Sequence, residues 1–75
     1  MNARDALIEA IVNALIAGKI AAATLNAGQG NAESLHRETR DQGIRINQTM
    51  AIARLMGFDA SGIYVAALDQ FTAKK

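Results

Sequence analysis

The sequence predicts an all-α protein: a small bundle of three helices, or four if the second is broken near Gly43, completed by dimerisation. Three observations carry this expectation. The chain has no Pro and is rich in Ala, Leu, Ile, Gln and Arg, so nothing forbids a helix interior and most residues favour one. No stretch sustains the two-residue alternation of a half-buried strand. Apolar residues recur instead as pairs four apart, at Leu7, Ile8, Ile11, Val12, Leu15 and Ile16. At 100° per residue these pairs cover one broad helical face.

With 75 residues the chain reads as one helical domain over residues 1–75. A domain of this size buries only about 60% of its unfolded surface. It has no Cys and only three aromatic residues, Phe58, Tyr64 and Phe71. Disulfides are therefore excluded, and the core must come from Leu, Ile, Val, Met and Ala. Small scaffolds without such staples often gain stability by oligomerising, which points to a homodimer. The net charge of +1 gives no broad field for nucleic acid.

The first helical region covers residues 3–27, with Asn26, Gly28 and Gly30 supplying the stop and the turn. Asn31 is the expected N-cap of the second. Its first part, AESLHRETRDQ, is polar apart from Leu35, and its second, INQTMAIARLM, is amphipathic and stops at Gly57. Asp59 is the expected N-cap of a last helix, ASGIYVAALDQF, followed by a charged tail at Lys74 and Lys75. On that helix Ala60, Ile63, Tyr64, Ala67, Leu68 and Phe71 share a face, which should pack across the first helix through Tyr64, Leu68 and Phe71.

The opening stretch ALIEAIVNALIAGKIAAATLNAG has roughly the 20-residue length of a membrane span. Asn13, Lys19 and Asn26 interrupt it, Asp5 and Glu9 sit inside the would-be apolar region, and the basic n-region of a signal peptide is missing. The expectation is a cytoplasmic protein without a membrane partner. A row of small residues runs along this helix, at Ala6, Ala10, Ala14, Gly18 and Ala22. Such a row forms a shallow groove that a neighbouring backbone can approach closely. Lys19 falls inside the apolar arc, so the buried face cannot continue unchanged past Gly18. The expected oligomer or partner interface is Ala10, Ala14, Gly18, Ile20, Ala22 and Leu25.

The polar middle carries Arg37, Arg40 and Arg45, candidate contacts to a phosphate or an acidic protein beside the simpler reading of a solvated face. Arg37 and Asp41 stand at helical spacing for a weak ion pair. His36 is the only His and has no Cys or compact acidic cluster around it, which gives no metal site. No phosphate loop, nucleophile elbow or zinc-binding HExxH motif is present. The expectation is no catalytic residue, no metal, no cofactor and no enzyme activity.

Residues 49–68, TMAIARLMGFDASGIYVAAL, resemble a helix-turn-helix unit. Ala53 takes the small position inside the first helix and Gly57 the turn position. Ile52, Met56, Phe58, Ile63 and Ala66 fall at the apolar locking positions. The resemblance implies DNA binding, yet the second helix offers no basic residue at its outward positions, near Asp59, Ala60, Ser61, Tyr64, Val65 and Leu68. The leading expectation is therefore a small non-catalytic regulatory or adaptor protein that binds another protein of unknown identity. A helix-turn-helix DNA-binding transcriptional regulator is the alternative.

Overall fold

In a computed structural model that describes residues 2–73, the chain forms three helices and, among the described residues, no strand. They are α1 (Ala3–Asn26), α2 (Ala32–Leu55) and α3 (Ala60–Ala73). The expected charged tail, Lys74 and Lys75, lies outside the described residues. The second helix is continuous through Gly43, so the bundle has three members.

The helix ends follow from local chemistry. Asn2 caps α1 by accepting the Asp5 N–H on its side-chain oxygen at 2.8 Å, and Asn31 caps α2 by accepting from the Ser34 N–H at 3.1 Å. Each satisfies a donor that the helix leaves free. Both long helices stop on a left-handed glycine, Gly28 at φ 72° and Gly57 at φ 83°, where a side chain would be strained. After α1, Gly28 donates to the Leu25 carbonyl and Gln29 to the Thr24 carbonyl. After α2, Gly57 donates to Arg54 and Phe58 to Ala53. The paired bonds form a Schellman stop at each end. Asp59 precedes α3; its carbonyl accepts from the Ile63 N–H at 3.1 Å.

Gly18 of α1 faces Gln42 of α2, while Ile8 and Ile11 share a cluster with Ala53. The two long helices therefore run antiparallel. Ala60 and Ile63, early in α3, belong to that same cluster, and Phe71, late in α3, lies under Lys19. Hence α3 runs parallel to α1. The core is narrow. Ile11, Val12 and Ile63 are its largest fully buried side chains, and Ala14, Ala21, Ala53, Ala60 and Ala67 supply most of the rest.

Length decides the shape. α1 and α2 each have 24 residues, about 36 Å, while α3 has 14, about 21 Å. The third layer ends near Lys19, and the far ends of α1 and α2 continue as a two-helix hairpin. The long dimension of the molecule is 41 Å, against 24 Å and 19 Å across.

Two substitutions test these local causes by urea denaturation. Asn31→Ala removes the α2 cap and should lower stability by about 1 kcal/mol. At Gly43, which is helical and exposed, an added Cβ would meet nothing within 4 Å. Gly43→Ala should therefore raise stability by about 0.5–1 kcal/mol.

Candidate functional site

The six expected interface positions on α1 do not share one free surface. Ala14 is buried within the chain's own fold. Gly18 lies against Gln42, whose Cβ would sit 3.7 Å from a Cβ built on the glycine. Ala22 and Leu25 are half-buried, and only Ala10 and Ile20 are open, with Ile20 62% exposed. The small-residue groove is filled at Gly18 by Gln42 of α2, and Ala14, one turn before it, is buried. Gln42 fits there because its amide nitrogen donates to the Glu38 carboxylate at 2.5 Å, which offsets the cost of burying a polar group.

Lys19 resolves by reaching sideways. The residue is exposed and its ammonium stands 5.6 Å from the centre of the Phe71 ring, within range of a cation–π contact. The stem of Lys19 thus closes the rim of the bundle where α3 ends. Beyond it the buried side of α1 shifts to Ala21. α1 is also long and apolar enough to cross a membrane by length and composition, with only 28% of its most apolar stretch buried in the bundle.

The candidate basic contacts divide. Arg37 and Arg40 line a shallow open depression with Glu33 and His36. Arg45 is five residues beyond Arg40, about 140° further round the helix, and does not join them. Arg37 pairs with Glu33 at 3.6 Å, one turn back, and not with Asp41 as its spacing also allowed. Both partners are well exposed, so the pair contributes little. Among the described residues no group of three or more His, Asp or Glu could hold a metal ion.

The turn at Gly57 forms as its sequence suggests, with Ala53 fully buried and Ile63 packed beneath it. Two of the expected locking residues do not lock. Ile52 is 48% exposed and Met56 51% exposed. On α3 the outward residues include Ser61, Val65, Asp69 and Thr72, and no described residue of that helix is basic.

The feature that periodicity did not single out is the outward face of α2. Ile46, Met50 and Ala53 pack inward. On the opposite side Ile44, Gln48, Ala51 and Leu55 are all exposed, Leu55 at 88%, with Ile52 and Met56 on the flank. The second half of α2 is thus apolar on two faces, whereas one apolar face suffices for a helix on a bundle surface. The signal was present in the spacing of Ile44, Ala51 and Leu55, but the inward set accounts equally well for an amphipathic helix.

Searches of family models, curated proteins and solved structures give no match to this chain.

Gly18 offers a graded test of the α1–α2 contact. An Ala there meets Gln42 at ordinary contact distance, so Gly18→Ala should leave stability unchanged or raise it by up to about 1 kcal/mol. Gly18→Leu overfills the contact and should cost about 1–3 kcal/mol. Thermal unfolding followed by circular dichroism reads both.

Proposed function

We propose that this chain is a small non-catalytic regulatory or adaptor protein that acts by laying the outward face of α2 against another protein chain. The observation that carries the reading is Leu55, a large aliphatic side chain 88% exposed on a regular helix. Ile44, Ile52 and Met56 extend the same surface, each about half-exposed. Burying one such side chain is worth about 1.5–3 kcal/mol, and their grouping on one helix gives a partner a continuous surface. An apolar surface of this kind, edged by Arg45, Asn47 and Arg54, has the apolar centre and polar rim of a protein interface.

The alternative of DNA binding through the Gly57 turn draws less support. Asp69 and Val65 point outward on α3, where a DNA-reading helix presents donors to base edges and phosphates. A gel shift with random duplex at low salt separates the two, and no shift at micromolar protein is expected.

The direct test is cross-linking in the source cell with the intact chain and with Leu55→Glu. Leu55 is nearly free of contacts within the protomer, so the substitution should leave the helix content unchanged. Wild type should give a defined cross-linked species that Leu55→Glu loses. Identical cross-linking patterns from the two would overturn the reading.

A further inference from the structure

We infer that the occupant of the α2 face is a second copy of this chain, packed antiparallel along α2. This rests on the interaction reading above and names its partner. The first support is the spacing. The outward residues Ile44, Gln48, Ala51 and Leu55 stand at steps of four, three and four, a series that reads the same in both directions. Under a two-fold axis between Gln48 and Ala51, Ile44 meets Leu55 of the second copy and Gln48 meets Ala51 of the second copy. Large faces large at the ends, and a long polar residue faces a small one at the centre. A two-fold contact requires such self-complementarity, because each copy offers the same patch; a foreign partner does not. Steps of four and three are also the spacing of a coiled-coil seam, where one polar residue can fix the register.

The flanks fit the same arrangement. With that axis, Arg45 lies beside Ile52 of the second copy on one side of the seam, and Asn47 beside Arg54 of the second copy on the other. No like charges are opposed along the central two turns, so the pairing carries no electrostatic penalty of the kind that rejects wrong partners.

The chain is also more open than a compact domain of its mass. The chain exposes 4953 Å², whereas a monomeric protein of 7.9 kDa exposes about 4400 Å² by the usual scaling of surface with mass. The excess of roughly 500 Å² goes with the elongated shape, 41 Å against 24 Å and 19 Å. The radius of gyration agrees: 13.4 Å, against about 11 Å for a compact domain of this length. Pairing two elongated protomers side by side along α2 covers apolar surface that each leaves open.

The purified 75-residue chain tests this by sedimentation equilibrium from about 1 to about 100 μM. Wild type should reach twice 7.9 kDa, and Leu55→Glu and Ile44→Glu should each weaken the association at least about tenfold, with unchanged circular dichroism. The chain has no Cys, so a single introduced thiol reports position cleanly. Ala51→Cys, beside the axis, should oxidise to a covalent dimer; Val65→Cys on the outside of α3 should not. A monomer throughout the range overturns the second copy as occupant, and a Leu55-dependent complex still seen in cells would then assign the face to a foreign protein. A dimer that survives both Glu substitutions, or equal cross-linking of the two thiol variants, places the contact elsewhere and also overturns the inference.

Discussion

Everything in this fold depends on helices that approach closely around very few large side chains. Ile11, Val12 and Ile63 are fully buried, and most of what surrounds them is Ala. Ala53 of α2 and Ala60 and Ala67 of α3 are buried in one cluster with Ile8, Ile11 and Val12 of α1, so small side chains fill much of the space between the three helices. Such a core is small. A domain of 75 residues has a stability of roughly 4–11 kcal/mol, and truncating one buried Ile typically removes about 2–5 kcal/mol. A protein built this way has reason to recruit further apolar contact from outside the protomer.

The inequality of helix lengths directs where that contact can form. Because α3 ends where Lys19 reaches over Phe71, the bundle has three layers at one end and two at the other. The antiparallel α1–α2 pair therefore carries the long dimension, and α2 presents its outer side along that whole length. The apolar part of this side, from Ile44 to Leu55, spans about 17 Å, at the end of the bundle that α3 braces from behind. A rigid backing suits an interface, since little ordering remains to be done on contact.

Much of the fold could be read from the residues. The cap at Asn31 and the stops at Gly28 and Gly57 are local chemistry, and local chemistry decides helix ends; the cap at Asn2 is of the same kind but was not singled out. The apolar face of α3 was equally legible, because a single face must pair with the core. Gly43 misled as a break since its neighbours hold the helix without it, a case of context overriding propensity. The α1 groove was visible, but not what fills it: periodicity shows that a close approach occurs, and a partner within the chain satisfies it as well as one outside. The α2 face escaped notice for the opposite reason. One apolar face already explained that helix, and only three-dimensional packing reveals that Ile46, Met50 and Ala53 exhaust the core while Ile44, Ala51 and Leu55 are left over.

The most direct measurement is methyl NMR of the intact chain across a dilution series. Self-association through α2 predicts concentration-dependent shifts at the methyl groups of Ile44, Ala51, Ile52 and Leu55, with those of Ile11 and Ile63 unmoved. Shifts confined to Ile20 and Leu25 on α1, or no shift at any concentration, would contradict it.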